Sequence, residues 1–191
     1  MAALSAVEDR LLEEMGAALR TSSGQSLVRE VAPLPGPWSL ETLRRVLQAA
    51  PAVYVLWLGA RAQSGSALAV DARWGVYVIA SHASGADRRR RGDARQIGAY
   101  EMIERIAPRL HGCDVPEHGT VRLERLESLV NDATFQLGAS VYQATVAIPF
   151  EVPLGTDLAA LDDFETLYVT YDLDTSQDAE PEAEDDVTMP Q

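Results

Sequence analysis

His111, Cys113 and His118 stand within eight residues of one another, beside Asp114 and Glu117. Imidazole and thiolate are the usual donors to zinc, so this cluster raises metal binding. Its spacing fits no structural zinc motif and supplies no defined fourth ligand, and it reads as a polar loop after a helix. Nucleophilic hydrolysis would need an elbow of the G-x-S-x-G kind, which the chain lacks. Gly24-Gln25-Ser26 and Ser64-Gly65-Ser66 are ordinary loop sequences, and His82 has no evident acid partner. The carboxylate pairs Asp162-Asp163 and Asp185-Asp186 lie in an acidic C-terminal stretch and read as solvated charge. All 16 basic residues are Arg. Without lysine there is no P-loop of the G-x-x-x-x-G-K type, no Schiff base and no kinase lysine. The expectation is a protein with no catalytic residue, no metal and no cofactor.

Charge is distributed more tellingly than it is composed. Residues 1–150 hold 16 Arg and 16 Asp or Glu, whereas residues 151–191 hold 13 acids and no base. The formal net charge of -13 therefore belongs to the C-terminal end. Arg88, Arg89, Arg90 and Arg91 form the sharpest basic feature. They suit contact with nucleic-acid phosphates, contact with an acidic protein surface, or a solvated loop. The overall charge disfavours phosphate, so protein contact or plain solvation outweighs specific nucleic-acid binding. Asp93, with Gln96 three residues on, reads as a helix cap.

These residues must be held by a fold, and the periodicities give one. Ser5 and Glu8 have capping-box spacing, and Leu4, Val7, Leu11, Met15 and Ala18 or Leu19 make one helical stripe. Residues 26–32 suit a short strand. Ser39 reads as the cap of a second helix with Leu40, Leu43, Val46 and Leu47 on one face, stopped by Pro51. The apolar run 52–58 suits a central strand, and 70–81 alternates as its antiparallel neighbour. Residues 82–92 read as a polar loop. A third helix follows, with Ile97, Tyr100, Ile103, Ala107 and Leu110 as its stripe and Pro108 in its last turn. Residues 112–119 read as loop, 120–130 and 139–152 as two long strands, and 165–172 as a short one. Residues 172–186 carry eight acids and no base, a composition that disfavours order in isolation. The end of the tail, Asp186 to Met189, suits strand addition to a neighbouring edge.

The order of elements predicts an α+β fold: a mainly antiparallel sheet flanked by about three helices. Residues 1–172 would form one domain and residues 173–191 an acidic extension. No parallel crossover and no Gly-rich strand–helix turn is evident, against a dinucleotide fold. A single Cys excludes an internal disulfide, no apolar run spans a membrane, and the acidic amphipathic start is unlike a signal peptide.

One segment carries a resemblance. Arg90-Arg91-Gly92-Asp93-Ala94-Arg95-Gln96-Ile97-Gly98-Ala99-Tyr100-Glu101, preceded by the strand Trp74–Ser81, resembles the Mu-like phage and prophage tail-terminator (tail-completion) proteins. Val121-Arg122-Leu123-Glu124-Arg125-Leu126 and Val141-Tyr142-Gln143-Ala144-Thr145-Val146 are similar to later blocks of that family. So are Asp162-Asp163-Phe164, Tyr171-Asp172-Leu173 and the closing Asp-Asp-Val-Thr-Met-Pro. The resemblance covers scattered blocks over residues 40–189. It implies an antiparallel sheet with flanking helices and a virion structural protein of the tail or neck region, assembled in the bacterial host cytoplasm. Such proteins cap the tail tube as a ring, usually a hexamer, stop its polymerisation and present a surface for head–tail joining. The implied partners are further copies of the chain, the tube protein, a head-completion or connector protein and, in a contractile tail, the sheath; no membrane is implied. Another connector or neck protein is the neighbouring reading, and a nucleic-acid-binding regulatory module using Arg88–Arg91 a more distant one. The four arginines, Arg95, and the tail residues Asp185, Asp186, Val187 and Met189 are the expected protein-contact residues, because a ring needs complementary patches on each copy.

Overall fold

The structure is a computed structural model and describes residues 3–37, 39–62, 69–129, 138–151, 166–171 and 183–188. In chain order the elements are α1 (Ala3–Ala18), β1 (Glu30–Pro33), α2 (Leu40–Gln48), β2 (Ala52–Ala62), β3 (Ala69–Ser81), α3 (Ala86–Arg91) and α4 (Ala99–Leu110). Then follow β4 (Asp114–Val115), β5 (Gly119–Thr120), β6 (Arg122–Ser128), β7 (Ala139–Glu151), β8 (Thr166–Tyr171) and β9 (Ala183–Thr188). The chain divides into two units, Met1–Val152 and Pro153–Gln191.

The first unit is built on a five-stranded sheet in the order β1-β2-β3-β7-β6. Three of its four pairings are antiparallel, which agrees with the expected α+β class. The fourth is a correction. β1 runs parallel to β2, with Val31 opposite Val53, and α2 makes the crossover between them. The periodicity of 26–32 places a strand there but gives no direction, and the strand itself lies later, at Glu30–Pro33.

β3 shows why the alternation works. Ala72, Trp74, Val76, Val78 and Ala80 face one core, together with Val53 and Val55 of β2 and Ala144, Val146 and Ile148 of β7. α1 covers this face with Val7, Leu11 and Met15, and α4 with Ala99, Met102, Ile106 and Leu110. Tyr77 and Ile79 point the other way, into a second core with Tyr54, Ala139 and Val141 that α2 closes with Leu43 and Val46. Each fully buried Leu, Val or Met contributes roughly 1.5–3 kcal/mol, so the fold rests on these two layers. β3 is thus hydrogen-bonded on both edges and covered on both faces.

Local chemistry accounts for several element ends. Ser39 is extended and its hydroxyl accepts from Thr42 N at 3.1 Å, the expected cap of α2. Leu40 departs from the expected buried face and is 48% exposed. Ser5 lies inside α1 rather than at its start, so the proposed capping box is not a cap. α4 begins at Ala99 after Gly98, and Asp93 is therefore not its cap. Its buried residues are Ala99, Met102, Ile106 and Leu110; of the expected stripe Ile97, Tyr100, Ile103, Ala107 and Leu110, Ile97 and Leu110 are buried, whereas Tyr100 is exposed. Residues 112–119, expected as loop, contribute β4 and the start of a small ladder with β5, and Val121 separates β5 from β6.

In the second unit the backbone of β8 pairs antiparallel with that of β9, Leu167 opposite Val187 and Tyr168 opposite Asp186. Residues 183–186, which composition assigns to disorder, are therefore paired, and the strand partner of Asp186 and Val187 is a segment of the same chain. Met189 lies outside the described residues. No helix among the described residues is long and apolar enough to cross a membrane.

Candidate interaction surface

The arginine run lies on a helix rather than in a loop. Gly85 (φ 101°) precedes α3 and Gly92 (φ 76°) ends it, both in backbone regions that L side chains rarely adopt. Asp87 sits in the first turn, and all four arginines lie in the last, where the helix dipole favours cations. Asp87 Oδ1 accepts ion pairs from Arg90 at 3.5 Å and Arg91 at 3.2 Å, the three- and four-residue spacings of a helix. A composition-based reading of 82–92 as loop misses this alignment of dipole and pairs.

The arginines are consequently unequal. Arg90 and Arg91 direct their charge at Asp87, while Arg88, Arg89 and Arg95 have no ion pair among the described residues. Arg88, Arg91 and Arg95 are exposed and Arg89 and Arg90 are half-buried. Arg89 Nε is buried and has no hydrogen-bond acceptor among the described residues.

Residues 92–98 form a closed turn that presents Arg95. Asp93 N donates to Gln96 O at 2.9 Å, and Gly92 and Ile97 form an antiparallel bridge. Asp93 Oδ1 accepts from the backbone N–H of Arg95 at 2.8 Å and of Gln96 at 3.1 Å. These bonds, that from Arg95 first, hold the Asp93 carboxyl below the usual carboxylate range, and His82 adds to the effect. The Asp93–Gln96 bond expected of a helix cap thus exists, but it caps a turn ahead of the helix. Gln96 Nε2 donates to Ser81 O at 2.7 Å and ties the turn to the end of β3.

His82 has a partner that its sequence neighbourhood does not reveal, because Asp93 is brought to it by the fold. Its Nε2 lies 3.1 Å from Asp93 Oδ2. Ser84 N donates to Nδ1 at 3.1 Å, so Nδ1 is an acceptor and the proton belongs on Nε2, donated to Asp93. Both ring nitrogens are engaged in positioning, and among the described residues no serine hydroxyl is bonded to either. His111 is similarly occupied: its Nδ1 accepts from Leu123 N at 3.2 Å. Cys113 is buried, which pushes its thiol up from the ordinary value. Among the described residues no three His, Cys, Asp or Glu are grouped as a metal site.

Three clefts open at this end of the sheet, each lined in part by Gln96. One of about 260 Å³ carries Asp93, Arg95 and Glu101 as well. The other two contain Arg29. The larger, about 460 Å³, is lined by Arg29, His82, Arg89, Gln96 and Gly138 among others. The smaller, about 210 Å³, shares Arg29 and Gln96 and adds Arg95. Arg29, His82 and Gln96 thus join the expected arginines. Their distance in sequence concealed them; only the chain reversals after β3 and before β2 bring them together. Of the expected tail residues, Asp185, Asp186 and Val187 lie on β9 in the second unit.

A sequence model of the family described as Bacteriophage Mu, Gp37 matches residues 3–152. The chain belongs to this family. The match takes in all of the sheet and helices of the first unit, and the 92–98 turn with them. Two named relatives of this Gp37 family chain are similar to it. The Mu-like prophage FluMu protein gp37 of Haemophilus influenzae is 33% identical over 115 residues, which are 60% of this chain and 56% of that protein. The probable tail terminator protein of Escherichia phage Mu is 28% identical over 165 residues, 84% of this chain and 86% of that protein. The aligned stretch thus spans little more than half of the prophage protein and most of the phage protein.

Proposed function

We propose that this Gp37 family chain is a phage tail terminator: a structural, non-catalytic virion protein that assembles as a ring on the end of the tail tube. There it stops tube polymerisation and offers a surface for head–tail joining. The observation that carries this reading is the similarity, along 84% of the chain, to the phage Mu protein named a probable tail terminator. Two features of the molecule support it. Arg88, Arg91 and Arg95 stand exposed at one end of a sheet that is held rigidly by two cores. The acids beyond residue 150 supply a complementary patch on the same chain. A closed ring needs two unlike, complementary patches on each copy. In this proposal Arg88–Arg91 and Arg95 form one side of the contact, and the end of the tail, Asp185 to Met189, the other. A hexamer, a contact with the tube protein and one with a head-completion protein complete it, with the sheath added in a contractile tail and assembly in the host cytoplasm.

The test is electron microscopy of particles made without the gene. Tubes of uncontrolled length support termination. Tubes of normal length beside unattached heads indicate a joining protein instead, and normal infectious particles reject both.

A further inference from the structure

The half-buried Arg89 and the arginines around it form more than a charged surface. Arg29 and Arg89 line one cleft of about 460 Å³, and Arg29 continues into the adjoining cleft that Arg95 lines. Arg89 Nε is buried in the protein yet bonds to no acceptor among the described residues. Among the described residues the Arg29 guanidinium makes one long bond, 3.4 Å from Nη1 to Gln48 O. The acid nearest in the turn, Asp93, is already engaged by His82 and by two backbone amides. Arginines that line a cleft match the planar fork of a carboxylate.

We infer that this arginine-lined cleft is a carboxylate-binding site that receives the acidic stretch 172–186 of a second copy of the chain. The inference rests on the proposal that copies of the chain assemble, and it names the contact. Charge argues for this occupant. Residues 1–150 balance 16 Arg against 16 acids, so an approaching acidic segment meets no net repulsion from them. Each copy brings eight acids without a base between 172 and 186, one such segment for every cleft. Electrostatic pairing of this kind fixes which patch meets which and in what register.

The absence of lysine gives a clean test. Arg89→Lys in the full chain keeps the charge and introduces one side-chain amine, distinguishable by peptide mass from the N-terminal amine. A zero-length carbodiimide joins amines only to carboxylates that touch them. Equal amounts of light and ¹⁵N-labelled protein are mixed, treated and digested. The expected result is a conjugate between the peptide holding position 89 and one from residues 172–186, with mixed isotopes, that fades several-fold at high salt. Arg61→Lys, at the far end of β2, should give no mixed conjugate with that segment. Arg29→Lys repeats the test from the other wall should the first variant fold poorly. Conjugates to acids of residues 1–150, Asp132 included, overturn the inference, and so do conjugates of unmixed isotopes only, or none. Sedimentation velocity separates the two levels: an assembly without the conjugate sinks the cleft alone, and a monomer at every concentration sinks the ring as well.

Discussion

The backbone of Gly92 lies against the backbone of Gly98 so closely that a Cβ on either residue would overlap the other strand of the turn. At Gly92 a methyl would come within 2.6 Å of Gln96 O, and at Gly98 it would press on Arg91 and Gly92. Backbone atoms cannot rotate away as a side chain can. Gly92→Ala and Gly98→Ala should each cost about 3 kcal/mol or more in urea unfolding. Gly16, within α1, has open space around it, and Gly16→Ala should stabilise by about 0.5–1 kcal/mol. A neutral Gly98→Ala would show that the close approach is not maintained in solution.

The same turn should respond to acid. Asp93 is held below its ordinary value of 3.8 by the N–H groups of Arg95 and Gln96. A carboxylate depressed in the folded protein stabilises fully above its unfolded value, and that contribution disappears as pH falls through the folded value. The carboxyl-carbon NMR titration of Asp93 should therefore have its midpoint below 3.8, with the turn loosening only on the acid side of that midpoint. A midpoint at or above the ordinary value would contradict the bonding described.

The phase of α4 is open to direct measurement. Met102 and Ile106 are buried against α1 and the sheet, whereas Tyr100 is 43% exposed and meets Tyr142 edge-on, at 5.9 Å between ring centres. Met102→Ala should cost about 2–5 kcal/mol by leaving a cavity. Tyr100→Ala should cost about 1 kcal/mol, the scale of one aromatic pair. Equal losses at the two positions would restore the phase that hydrophobic spacing suggests.

Assembly and stability should separate at the exposed arginines. Arg88, Arg91 and Arg95 have exposed side chains, and the pair from Arg91 to Asp87 is a surface one. Such pairs are worth about 0–1 kcal/mol. The triple change Arg88→Glu, Arg91→Glu and Arg95→Glu should leave the melting temperature within a few degrees of the original. It should nevertheless abolish ring formation in sedimentation velocity and yield tubes of uncontrolled length when it replaces the original gene. Rings that form normally would remove these residues from the contact.

The sheet was legible in the sequence wherever a strand obeyed a simple rule. Trp74, Val76 and Val78 alternate against Asp71, Arg73 and Tyr77, and that alternation fixes both the strand and its two faces. The direction of β1 was not legible, because a four-residue strand carries no mark of its neighbour's polarity. α3 escaped for another reason. Six residues leave no room for an apolar stripe, and its order comes from two glycines, a dipole and Asp87. Of the contact surface, the consecutive arginines were plain. Arg29, His82 and Gln96 were not, because they reach the clefts from three separate stretches of chain.

β3 has a further consequence, one of time. Between Val76 and Ala80 its amides are bonded to β2 on one side or β7 on the other, and both of its faces are packed. No local opening can bare them to solvent deuterium; only loss of the whole sheet can, so their exchange runs as slowly as global unfolding. The edge strands β1 and β6 need only fray. The exchange rates of this protein would therefore fall from edge to centre in the order of its strands, and a partner bound at either edge would be read as a slowing confined to that edge.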